Sequence, residues 1–141
     1  MSLLHNPIYT TKYTESDDTE GLHRLKWSQF GCKCPLCKVD GGKFLMENQP
    51  VNILDQIARE DRMRFDVELA YVCKNKADKL NLSSNDPHRL GLAVKVRMMC
   101  PKKRLKLMRG LIVRGVTRIR IARDFFYFDV DELRGKSLYI V

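Results

Sequence analysis

Leu90-Gly91-Leu92-Ala93-Val94-Lys95-Val96-Arg97-Met98 alternates, with Leu90, Leu92, Val94 and Val96 falling on one face. That is the period of a half-buried strand. The next segment, Lys102–Arg114, repeats differently: Leu105, Met108 and Ile112 recur at helical spacing, and Gly115 suits a helix terminus. Val116–Ala122 and Phe125–Val130 then read as two strands joined tightly around Arg123-Asp124. Upstream, Val51, Leu54, Ile57 and Ala58 follow Pro50 and predict a helix near 50–61, while Phe65–Tyr71 alternates as a further strand. Lys74–Asn85 is polar and runs into a loop at Ser83-Ser84-Asn85-Asp86-Pro87. The order helix, strand, strand, helix, strand, strand predicts a small α+β domain, a mostly antiparallel sheet packed by two or more helices.

The chain has 141 residues, 44% of them hydrophobic and 30% charged, which fits one globular domain and excludes a disordered or fibrous chain. Apolar runs such as Gly110–Val113 and Phe125–Phe128 are too short to span a bilayer, so no membrane span is expected. Met1–Asn6 lacks the basic start and apolar stretch of a signal peptide, which predicts a chain kept in a cytoplasm or exported by another route. Residues 1–25 are rich in Thr, Ser, Asp and Glu and read as an extended N-terminal arm with Ile8, Tyr9 and Tyr13 as anchors. Residues 26–141 read as the domain.

The net charge is +9, and it is unevenly placed. Residues 89–123 carry twelve basic side chains and no acidic one. Within that stretch Lys102, Lys103, Arg104, Lys106 and Arg109 suit the solvated back of a helix. Arg118 and Arg120 alternate with Thr117, Ile119 and Ile121, so they project together from a sheet face, with Arg123 ending the strand and Arg97 nearby. Arginine binds carboxylate and phosphate in bidentate fashion and suits interfaces. An interaction surface of Arg97, Arg118, Arg120 and Arg123 is therefore expected, with other protein subunits as partners and the acidic residues 15–20 of a neighbouring subunit as one candidate. Nucleic acid is the alternative partner for residues 97–123, although no helix-turn-helix or aromatic RNA-binding pattern accompanies them.

Three of the five cysteines form a CxCxxC cluster, Cys32, Cys34 and Cys37. Reduced packed thiols or a structural zinc are the two readings of that spacing, with Cys73, Cys100 or His23 as a fourth ligand. No other cofactor is expected.

Asp86-Pro87-His88-Arg89-Leu90-Gly91-Leu92-Ala93-Val94-Lys95 resembles the S-x-H-x-x-G-x-A-x-D signature of the zinc D-Ala-D-Ala carboxypeptidase-like metallopeptidases. The flanks follow in order. Trp27–Cys37 is similar to that family's aromatic-x-x-Phe-x-Cys opening, and Val51–Glu60 to its first helix. Leu69-Ala70-Tyr71-Val72-Cys73-Lys74-Asn75 is similar to S-G-Y-R-x-x-N, and Val116–Asp129 to a closing hairpin ending F-x-H-x-D. The resemblance implies that His88, Lys95 and Tyr127 stand where three zinc ligands would be. It also puts Val72 in place of a substrate-binding arginine, Asp124 at a general acid/base position and Asp129 at the aspartate of the last strand. A protonated lysine repels a cation and tyrosine is a poor replacement for histidine, so one imidazole is left and catalytic zinc cannot be held. The resemblance thus implies a peptidase-like fold without its chemistry: a non-catalytic docking protein, in particular a phage virion component of tail, neck or capsid, found in the virion or the host cytoplasm. A zinc-dependent peptidoglycan peptidase with an altered site is the enzymatic alternative.

Overall fold

The structure of the chain is a computed structural model, which describes residues 7–10, 19, 21–39, 44–132, 134–135 and 137–140. In chain order the elements are β1 (Pro7–Thr10), a 3-10 turn (Trp27–Phe30), α1 (Pro35–Val39), β2 (Phe44–Glu47), α2 (Asn48–Glu60), β3 (Asp66–Leu69), α3 (Lys74–Lys79), β4 (Ala93–Arg97), α4 (Pro101–Val113), β5 (Arg118–Ile121), β6 (Phe125–Asp129) and β7 (Ser137–Ile140). The expected α+β architecture is present. One sheet runs in the order β3-β4-β6-β5-β7, antiparallel throughout except that β7 lies parallel to β5.

Alternation along the strands sorts the two faces of this sheet. Val94, Val96, Ile119, Ile121, Phe126 and Phe128 point inward and meet Val51, Leu54, Ile57, Leu107 and Leu111 from α2 and α4. The opposite face carries Lys95, Arg118, Arg120 and Tyr127 in register: Lys95 pairs with Tyr127, and Tyr127 with Arg120. The domain is thus two layers, helices on one face and a polar face opposite.

The N-terminal segment is tied to this body at two places. β1 pairs antiparallel with β2. The backbone N–H groups of His23, Arg24 and Leu25 donate to the buried Asp55 carboxylate at 2.8–2.9 Å. Asp55 projects from α2, so one buried charge satisfies three successive donors and fixes the entry to the domain. The acidic residues of the 15–20 segment and the Asp40-Gly41-Gly42 loop lie outside the described residues.

Three expectations need correction. Leu90–Leu92 is turn, and the strand begins at Ala93; Gly91 there takes φ 72°, a conformation that glycine adopts without strain. The polar stretch after Cys73 contains the short helix α3, whose buried residue is Ala77. In α4 the buried residues are Leu107, Gly110 and Leu111, while Leu105 and Ile112 are exposed at 69% and 53% and Met108 is half-buried. The helix has two apolar stripes, and the one containing a glycine faces α2, because the absent side chain admits Ile57.

A methyl group on Gly110 would meet Ile57 Cγ1 at 2.7 Å and Cδ1 at 2.8 Å. Alanine gains about 1 kcal/mol of helix propensity, whereas overpacking a tight core costs about 1–3 kcal/mol. Gly110→Ala is therefore expected to lower unfolding free energy by about 1 kcal/mol in urea titrations. A stabilised variant would mean that Ile57 yields and the crossing is loose.

Candidate functional site

CxCxxC places two thiols on the turn entering α1 and a third within that helix, and the fourth comes from across the fold. Cys32, Cys34, Cys37 and Cys73 offer sulfur atoms that all lie within 4.8 Å of one another. Cys34 Sγ and Cys73 Sγ are 3.5 Å apart. A tetrahedral zinc with Zn–S near 2.3 Å has S···S edges of about 3.8 Å, so this group could bind a metal such as zinc. Four thiolates are soft donors, which favours zinc over magnesium or calcium. One backbone and one side-chain link hold the halves together: Tyr71 N–H donates to Phe30 C=O at 3.1 Å, and Lys33 Nζ donates to Val67 C=O at 2.5 Å. Cys73 precedes α3 as its N-cap residue, and Tyr71 packs on the cluster.

The thiols are electrostatically unequal. The backbone N–H of Cys37 lowers Cys34 to about 6, despite an opposing contribution from burial. Burial is the largest influence on Cys32 and Cys37 and pushes both upward. Crowded thiols cannot all carry charge alone, and a divalent cation removes that conflict. Among the expected fourth ligands, the structure places Cys73 in the cluster. Cys100 is the exposed N-cap residue of α4. His23 contacts Arg59 at 3.4 Å.

On the outer sheet face the positions His88, Lys95 and Tyr127 come together. His88 and Tyr127 meet edge to face with ring centroids 5.4 Å apart, and Lys95 is the register partner of Tyr127. All three line one cleft of about 320 Å³. Each is already engaged. The His88 ring pairs through Nδ1 with Ala70 C=O at 2.7 Å; because a carbonyl only accepts, Nδ1 carries the proton. Lys95 Nζ pairs with Glu68 at 2.9 Å and sits 4.2 Å from the Phe125 ring centroid. Tyr127 donates to Asp129 at 2.6 Å, and burial with that carboxylate pushes its hydroxyl well above the ordinary range, so it stays protonated. Among the described residues, the only group of three or more His, Cys, Asp or Glu side chains placed to hold a metal is the cysteine cluster.

The arginines divide. Arg118 and Arg120 line this cleft, whereas Arg97 pairs with Glu68 at its border and Arg123 is exposed in the β5–β6 turn beside Asp124. Asp129 is buried and accepts from Arg118 Nε at 2.8 Å, Tyr127 and the Asp131 N–H. Val72 is buried in the wall behind, its N–H bonded to His88 C=O. Part of the basic excess is structural: Arg104 donates to the carbonyls of Met98, Ala122 and Arg123 and so closes the β5–β6 turn. Sequence reasoning missed Arg134, which lines the cleft and donates to Asp131 and to Asn85 C=O. Only its i, i+3 spacing from Asp131 hinted at a role.

No protein-family model, curated protein or solved structure matches the chain.

Burial holds His88 below the ordinary value of 6.5. The unfolded chain then takes up a proton near pH 6.5 that the native ring refuses. Stability from this residue is full above that pH and falls as pH drops toward the native value. Thermal melts from about pH 7.5 down to about pH 5 should show a steeper loss for the native chain than for His88→Gln. Parallel curves would mean that His88 is not the buried neutral ring described here.

Proposed function

We propose that the protein is a non-catalytic docking domain, built on a peptidase-like fold, stapled by a structural zinc at Cys32, Cys34, Cys37 and Cys73, and carried as a component of a larger assembly such as a phage tail, neck or capsid. The observation that carries this reading is the meeting of His88, Lys95 and Tyr127 in one cleft. The resemblance aligns these residues with three metal-ligand positions of the metallopeptidases, and their meeting in one cleft supports a common site. Two of the three cannot serve as ligands while protonated, and all three are locked into other contacts. The ancestral centre has become packing.

The zinc has a different task. It joins the CxCxxC turn to the start of α3 and adds stability that a domain of this size uses well. Four thiolate ligands would leave no open position for water. That is a structural centre. No helix among the described residues is long and apolar enough to cross a membrane, and protein subunits are the partners proposed for the polar sheet face.

The purified chain should carry about one equivalent of zinc, lost in Cys73→Ser and kept in Cys100→Ser. Lys95→Asp combined with Tyr127→His restores two ligands beside His88 and should raise the content to about two equivalents. A folded double variant that still holds one would overturn the inherited-site reading. Zinc-dependent hydrolysis of a D-Ala-D-Ala peptide by the native chain, abolished in His88→Ala, would overturn the non-catalytic one. Mass spectrometry of purified particles should find the chain; its absence from them would sink the docking role.

A further inference from the structure

The same cleft is walled by cations. Among the described residues, Lys95, Arg118, Arg120 and Arg134 line it against a single acid, Asp86. The carboxylates that balance the arginines lie behind them: Asp129 and Asp131 are 1% and 6% exposed and line a separate cavity of about 350 Å³, which shares Arg118 and Arg134 as its wall. Each cation is held from the rear or side. Arg118 bonds Asp129 at 2.8 Å and Gly135 C=O at 2.6 Å; Arg134 bonds Asp131 at 2.9 Å and Asn85 C=O at 2.6 Å. Lys95 rests on Glu68 and Phe125, and Arg120 lies 5.6 Å from the Tyr127 ring centroid. Long cationic side chains ordinarily lose much freedom on binding an anion, and here the fold has ordered them beforehand. Leu69, Leu82 and Phe125 add apolar lining.

We propose that this cleft is a recognition pocket for carboxylates, and that its occupant is an acidic segment with apolar neighbours from a partner protein. The inference rests on the docking role above and supplies the partner's chemistry. Guanidinium forks match carboxylates in bidentate geometry, and the apolar lining suits the flanking side chains of a peptide. Nucleic acid fits less well. A strand needs cations spaced along a track, but these converge on one cleft. The other basic group, Lys102, Lys103, Lys106 and Arg109, is on α4, which packs against the inner face of the sheet.

The test is an NMR titration of the ¹⁵N-labelled full chain with the acetylated, amidated peptide Leu-Asp-Glu-Leu-Glu. Shifts should cluster around Lys95, Arg120 and Tyr127 and saturate at roughly millimolar peptide. The same peptide with Asn and Gln in place of its acids should leave them unmoved. Arg120→Gln and Lys95→Gln should each weaken binding about fivefold or more, and Lys106→Gln should not. Arg118 is left alone, because its loss strips a partner from buried Asp129. Absence of saturable shifts up to about 10 mM, or equal response to the neutral peptide, would overturn the proposal. So would tighter binding of a single-stranded oligothymidylate that weakens in Lys106→Gln, which would point to nucleic acid. The two proposals fail separately. A chain that binds the peptide but is absent from particles loses its assembly and keeps its pocket; a particle component whose folded Arg120→Gln form ignores the peptide as the native chain does loses the pocket alone.

Discussion

The period-two alternation of β6 governs the molecule. One set of its side chains, Phe126 and Phe128, is buried beneath α2 and α4, which obliges Phe125, Tyr127 and Asp129 to stand on the other face. Asp129 is a buried carboxylate, so it must be paired. Arg118 from β5, the Tyr127 hydroxyl and the Asp131 N–H answer that need. The core packing and the polar face are therefore two consequences of one strand. Moving the register by a single residue would expose the phenylalanines and bury the charges together.

This coupling explains why the outer face is so heavily engaged. The side chains there satisfy each other: Lys95 with Glu68, His88 with Ala70 C=O, Tyr127 with Asp129. Self-pairing fixes their geometry. Fixed geometry with cations toward the solvent is what a recognition surface needs, and the arginines braced from behind by buried carboxylates have that form.

Much of the fold was legible in the sequence because it rests on period and punctuation. Val94–Val96, Ile119–Ile121 and Phe126–Phe128 alternate plainly, and Pro50 and Gly115 mark helix ends that α2 and α4 respect. The short strands β1, β2 and β7 were not legible, since four residues carry too little pattern and their pairing is set by distant partners. The buried stripe of α4 was misread, because Leu105-Met108-Ile112 outscores Leu107-Gly110-Leu111 in apolar content while close helix contact selects the glycine. At the cluster, CxCxxC announced three sulfurs and could not choose the fourth. Cys73 is the fourth because the chain returns past Phe30 at Tyr71, a pairing no local spacing encodes. Likewise Lys95, Tyr127 and the arginine patch stand as separate features in the sequence, and only strand register puts Tyr127 between Lys95 and Arg120.

The position of the four cysteines along the chain also bears on the order in which the molecule is assembled. All four sulfurs have been synthesised once residue 73 is made, whereas the central pairing of β4 with β6 must wait for residue 129. A closure between residues 37 and 73 spans 36 residues, and the entropic cost of closing a loop grows only slowly with its length. During vectorial synthesis the N-terminal half therefore has a means of folding before the sheet exists, and the later strands add to a ready-made edge at β3.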